Sequence, residues 1–225
     1  MKRSELNQII EDAISFCRKM HFNLPPFAGW TMEEWKKAGP EHDELKDNML
    51  GWDVTDFGSG DFGKFGLLIC TLRNGNFHNA KYVKPYCEKI LIQDEDQVLP
   101  SHFHWKKMED IINRGGGNLM VQMYNSTENG SYSDKPLKIT IDGKAVEVPA
   151  GGIVKIRPGE SITLLPGQYH RFWAEKGTGK ILLGEVSTVN DDRVDNRFYD
   201  MSGRFPDMVE DEPIKYPIFN DYKLL

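Results

Sequence analysis

A chain of 225 residues is long enough for one domain with a sizeable core, burying on the order of 70% of its unfolded surface. Its formal charge of −6, carried by interspersed acids and bases with no lysine or arginine block, gives no reason to expect nucleic acid or an anionic membrane as partner and favours a small polar ligand. No apolar stretch approaches the ~20 residues of a membrane span, and Cys17, Cys70 and Cys87 form no C-x-x-C pair, so a cytoplasmic protein with reduced core thiols is expected.

Residues 4 to 20 carry Leu6, Ile9, Ile10, Ala13, Ile14, Cys17 and Met20 at helical spacing, with Ser4 as the expected N-cap. Pro25-Pro26 ends that segment. Thr31-Met32-Glu33-Glu34 then has the form of a capping box, so a short second helix is expected through Trp35. From about residue 50 the texture changes to short β-branched and aromatic runs between glycines. Strands are expected at 65–72, 86–93, 98–104, 118–125, 137–141, 145–148, 153–156, 161–165, 169–174 and 180–187. Asn74-Gly75 is a turn signal, and Asp142-Gly143 is a strong two-residue hairpin signal. Many short strands at short intervals argue for a sandwich or barrel, with 1–48 as a helical segment, 50–188 as the barrel and 189–225 as a wrapping tail of one domain, 1–225.

The run His102-Phe103-His104-Trp105-Lys106-Lys107-Met108-Glu109, answered by Pro166-Gly167-Gln168-Tyr169-His170, restricts the chemistry most. In a strand His102 and His104 project to one face. An isolated H-x-H pair is usually two unrelated surface histidines. Here three of the six histidines and one glutamate share a spacing with a mechanical reason. His102, His104, Glu109 and His170 suit Mn, Fe, Co, Ni or Zn better than Ca or Mg, and four ligands on a six-coordinate ion leave two positions for substrate oxygens.

These residues resemble the two cupin motifs. His102, His104, Glu109 and Gly116 hold the spacing of the first, with Asp96 where its leading glycine belongs; Gly159, Gly167 and His170 hold that of the second, with the proline displaced to Pro166 and Ala174 in place of the usual asparagine. The resemblance implies an all-β cupin fold, a double-stranded β-helix or jelly-roll barrel with the metal inside, preceded here by N-terminal α-helices. The longer run His102 to Asn118, with Pro158-Gly159-Glu160-Ser161-Ile162, Tyr169-His170 and Gly184 to Asp192, is similar to the D-lyxose isomerase family, and the likeness extends over most of the chain. It implies interconversion of D-lyxose with D-xylulose and D-mannose with D-fructose, a divalent metal, Mn first, and a homodimer. A cupin dioxygenase using Fe and a non-catalytic sugar-binding cupin are the competing readings.

Aldose–ketose isomerisation moves a proton between C1 and C2 while charge develops on O1 and O2. A divalent metal holds both oxygens as a Lewis acid, but its histidine ligands have committed their lone pairs, so the base comes from elsewhere. Glu185 is the first candidate, because it interrupts Ile181-Leu182-Leu183-Gly184-Glu185-Val186; a carboxylate there either faces solvent or is kept inside for chemistry. Lys107 is the second: two residues before Glu109, it shares that residue's face if the backbone is extended, and is otherwise a solvated turn lysine. Lys89, Asp192 and Arg204 are candidates to touch substrate, with Asp195 and Asn196 beside Asp192; against this, either face of the Lys89 strand could be the inner one, short polar clusters such as 192–196 more often serve turns and caps, and Arg204 could instead pair with an acid. His21, His42 and His78 fall outside the spacing and read as structural or surface residues. Gly115-Gly116-Gly117 lacks the lysine of a phosphate loop and reads as backbone crowding at a barrel strand.

Overall fold

The computed structural model describes residues 1–200 and 208–225. Three helices lead: α1 (Arg3–Lys19), α2 (Met32–Lys37) and α3 (Asp43–Asp47). Among the described residues thirteen strands follow: β1 (Gly51–Thr55), β2 (Leu67–Arg73), β3 (Tyr86–Gln93), β4 (Val98–His104), β5 (Glu109–Gly116), β6 (Leu119–Asn125), β7 (Leu137–Ile141), β8 (Lys144–Val148), β9 (Ile153–Ile156), β10 (Ser161–Leu164), β11 (Gln168–Ala174), β12 (Ile181–Thr188) and β13 (Asn196–Phe198). They form two antiparallel sheets, β1-β2-β3-β12-β5-β10-β7-β8 and β13-β4-β11-β6-β9, whose non-consecutive order is that of the expected jelly roll. No helix among the described residues is long and apolar enough to cross a membrane.

Two cores explain the sequence pattern. Leu67, Ile69, Leu91, Leu99, Ile111, Val121, Phe172 and Leu183 pack inside the barrel. The opposite face of β2, β3 and β12, through Leu68, Cys70, Ile90, Ile92 and Leu182, packs against Leu6, Ile10, Ala13 and Cys17 of α1. Strands covered on both faces read as continuous apolar runs, which is why Leu67 to Leu72 shows no alternation. The Asp142-Gly143 turn joins β7 to β8, with both residues at positive φ, 47° and 80°. A Cβ on Gly116 would overlap the carbonyl oxygen of Lys180, which accounts for the glycine run where β5 meets β12.

Four elements were absent from the sequence expectation: α3, β1, β5 and β13. β5 buries Glu109, Ile111, Asn113 and Gly115 on alternate positions, so only one of its four inward residues is a large apolar side chain and the strand period is hidden.

The helix start also differs. Thr31 and Glu34 form the expected capping box, but α1 begins at Arg3, and Ser4 is not its cap. The Ser4 backbone N–H and hydroxyl both donate to the Asp211 carboxylate, at 2.9 and 2.7 Å, so a residue from the distant tail satisfies the free helix amide. The tail is thus held on α1. Arg3, fully buried, donates two hydrogen bonds to the Asp221 carboxylate at 2.9 Å and two to Glu210. Asp221 is buried too, so Arg3→Met leaves an uncompensated charge inside. We expect a loss of about 3–5 kcal/mol in urea unfolding; a change under about 1 kcal/mol would mean that the tail is not anchored there.

Candidate active site

The small sheet brings the histidines together. His102 lies directly opposite His170 across the β4–β11 ladder, with ring centroids 4.1 Å apart, and His104 follows on the same face of β4. Nitrogens of the three lie within 4.8 Å of one another, and all three side chains are buried. Nδ1 of His102 is 2.9 Å from the Pro100 carbonyl oxygen, and Nδ1 of His170 is 3.0 Å from that of Gln168. A carbonyl only accepts, so in both rings Nδ1 carries the hydrogen and Nε2 keeps its lone pair. Nε2 of His170 and both nitrogens of His104 are buried without a hydrogen-bond partner. Buried polar atoms left this way are rare, and converging ones are what a metal ion satisfies. The three histidines could therefore hold a metal.

The large sheet supplies the charges. Adjacent strands β3, β12 and β5 carry Lys89, Glu185 and Glu109, with Lys89 and Glu185 paired directly in register. Lys107, on the β4–β5 connection, is buried with its Nζ 2.6 Å from Glu109 and 2.8 Å from Glu185. Lys89 lies 3.2 Å from Glu185 and 3.6 Å from Asp192. Oε1 of Glu109 turns toward the histidines, 3.4 Å from Nε2 of His104 and 3.3 Å from Nε2 of His170. The charged groups thus alternate in sign from the half-buried Asp192 through the buried Lys89, Glu185 and Lys107 to Glu109.

Burial opposes the charge on Lys107, but Glu109 and Glu185 outweigh it and raise its pKa well above the ordinary lysine value. Burial likewise opposes ionisation of Glu109, yet Lys107 and the neighbouring histidines hold it well below the usual carboxylate range. Burial pushes His102 well down and His104 down, and the facing imidazoles add to the effect on His102.

Of the expected residues that the structure describes, all but Asp195 converge on one cavity or its wall; Arg204 lies outside the described residues. His102, His104, Lys107, Glu109, Lys89, Glu185, Asp192 and Asn196 line it. His170 stands at the wall beside His102. Asp195 does not line it. Its carboxylate accepts the backbone amides of Lys106 and Lys107, at 2.9 and 3.0 Å, and so fixes the connection that carries Lys107. Asp96 adopts φ 59°, the left-handed conformation that the motif's glycine would supply. Sequence reading missed Phe198, which stacks on His102 at 5.2 Å, and Phe172; nothing in their surroundings marks an aromatic in the tail or in β11 as a cavity wall. His78 is exposed, and His42 packs edge-on to Trp30.

A family model described as D-lyxose isomerase matches residues 1–222. The chain belongs to the D-lyxose isomerase family. A D-lyxose/D-mannose isomerase of Escherichia coli O157:H7 is 45% identical over 224 residues, 99% of each chain. One of Serratia proteamaculans is 44% identical over 223 residues, 99% of this chain and 98% of the relative. Among solved structures, L-ribose isomerase of Acinetobacter sp. DL28 in complex with L-ribose superimposes with a TM-score of 0.61 at 16% identity, covering 93% of this chain and 98% of that one. L-ribose isomerase of Cellulomonas parahominis with L-ribose gives 0.60 at 15% identity over the same shares. At such identities the likeness is one of fold. Family membership makes the chain a sugar isomerase.

Because His102 and His104 are depressed, they stay neutral as pH falls through 6.5, and metal binding should persist there. We expect Co2+ affinity to fall less steeply between pH 7.5 and 6.0 than two histidines of ordinary pKa would dictate. Two histidines of ordinary pKa would cost roughly tenfold over that span, and that slope would contradict their shifts.

Proposed function

We propose that the chain interconverts D-lyxose with D-xylulose, and D-mannose with D-fructose, by proton transfer between C1 and C2 at a site built for a divalent transition metal. The carrying observation is Glu185: a buried carboxylate in the same cavity as the histidines, outside their ligand set and held by two lysines at 2.8 and 3.2 Å. His102, His104 and His170 through Nε2, together with Glu109, are the residues that would hold the metal. Mn is the first expectation, with Co, Ni, Zn and Fe fitting the same donors. When bound, the ion supplies Lewis-acid stabilisation to the developing negative charge on the sugar oxygens.

Glu185, ionised, takes the proton from C2 of the aldose and returns it to C1, while a hydroxyl proton passes from O2 to O1. Both lysines contact its Oε1, so Oε2 is the oxygen we assign to the transfer. Lys107 spends two of its three N–H donors on Glu109 and Glu185, leaving one for a sugar oxygen. Lys89 fixes Glu185 from its other side, and Asp192 faces the sugar beside Lys89. Arg204 remains a proposed substrate contact from the reading of the sequence. The cavity encloses about 30 Å³, room for roughly one water, so sugar entry requires the walls to part.

Residues 1–225 would act as one domain, and the dimer implied by the family resemblance belongs to the same reading. Three buried free thiols support a reducing compartment, the cytoplasm.

Protein stripped with a chelator and reloaded with Mn2+ should regain turnover of lyxose and mannose. In Glu185→Gln, turnover should fall by about 10²–10⁴-fold with metal binding kept. Reloaded protein inert on every aldose tested would overturn the assignment, and an unchanged Glu185→Gln rate would remove that residue from the mechanism.

A further inference from the structure

We propose that Asn196 is a substrate-binding residue whose side-chain carbonyl accepts a hydrogen bond from a hydroxyl of the sugar. Asn196 opens β13 and lies opposite His104 across the β13–β4 ladder, lining the same cavity as Glu185 and Lys89. Its Nδ2 donates to Oδ1 of Asp192 at 3.1 Å. An ionised carboxylate only accepts, so this contact fixes which end of the amide is nitrogen and turns Oδ1 the other way. Oδ1 is then buried with no hydrogen-bond partner.

Among the described residues five buried side-chain atoms lack a partner, and three of them are the nitrogens of His104 and His170. A fourth is Asn196 Oδ1, in the cavity those histidines border. A carbonyl oxygen left alone at such a site carries the cost of its desolvation until a donor arrives. The nearby ammoniums of Lys89 and Lys107 point to Glu109 and Glu185, and neither bonds this oxygen. A sugar hydroxyl is the donor that the proposed chemistry brings. The assignment rests on the isomerase reading, and a site built to hydrogen-bond a hydroxyl rejects an analogue that lacks it.

The test uses the full chain loaded with Mn2+, wild type against Asn196→Ala and Asn196→Ser. KM for D-lyxose should rise about three- to tenfold in both, with metal content and melting temperature unchanged. Analogues of D-lyxose each lacking one hydroxyl then separate contact from support. For the analogue missing the contacted hydroxyl, wild type and Asn196→Ala should have the same kcat/KM; for the others the gap should persist. An unchanged KM, or an equal gap for every analogue, overturns the proposal. If wild type turns over no aldose, the isomerase reading fails, and the inference is decided by calorimetric binding of xylitol. Weaker binding to Asn196→Ala supports it, whereas equal binding, or none to either protein, overturns it.

Discussion

A buried ammonium between two buried carboxylates is the interaction on which the site depends. Lys107 lies 2.6 Å from Glu109 and 2.8 Å from Glu185, and all three are almost without solvent exposure. Any one of these charges alone in the barrel would cost several kcal/mol, about 3–5 by the precedent of broken buried pairs. They are tolerated because they alternate, and Lys89 with Asp192 extends the alternation. The arrangement demands that β3, β12 and β5 be neighbours and that the β4–β5 connection hold one conformation. Register meets the first demand, and the Asp195 carboxylate on the Lys106 and Lys107 amides meets the second.

The two sheets divide the chemistry between them. The small sheet aims three imidazoles inward, two of them with the tautomer set by a backbone carbonyl. The large sheet holds carboxylates and ammoniums, and Glu109 belongs to both halves, with one oxygen toward the histidines and the other toward Lys107. The imidazoles and the charged groups therefore meet at Glu109 inside one cavity. Phe198 and Asn196, on a strand of three residues at the edge of the small sheet, form part of the wall over this space. A wall made by so short an edge strand is the part of the barrel with the fewest ladder bonds to break when substrate enters.

Much of this was legible in the sequence, for reasons that differ by residue. His102, His104, Glu109 and His170 showed in their spacing, and Lys107 in its parity with Glu109. Lys89 could not be oriented, because β3 is covered on both faces and gives no polar side to count from. β5 hid behind its own function: its inward Glu109 and Asn113 broke the apolar period that reveals a strand. The cap of α1 was out of reach, since Asp211 stands 207 positions from Ser4. Asn196 was visible as one polar residue in a cluster; only its contact with Asp192 singles out the oxygen that faces inward.

The central claim, that Glu185 carries a proton rather than supporting a hydride shift, is tested most directly in deuterated water. Metal-loaded enzyme converting D-lyxose to D-xylulose should leave solvent deuterium at C1 of the product, because a carboxyl proton exchanges before its return. Xylulose formed at full rate with no deuterium at that carbon, at any extent of conversion, would contradict the account.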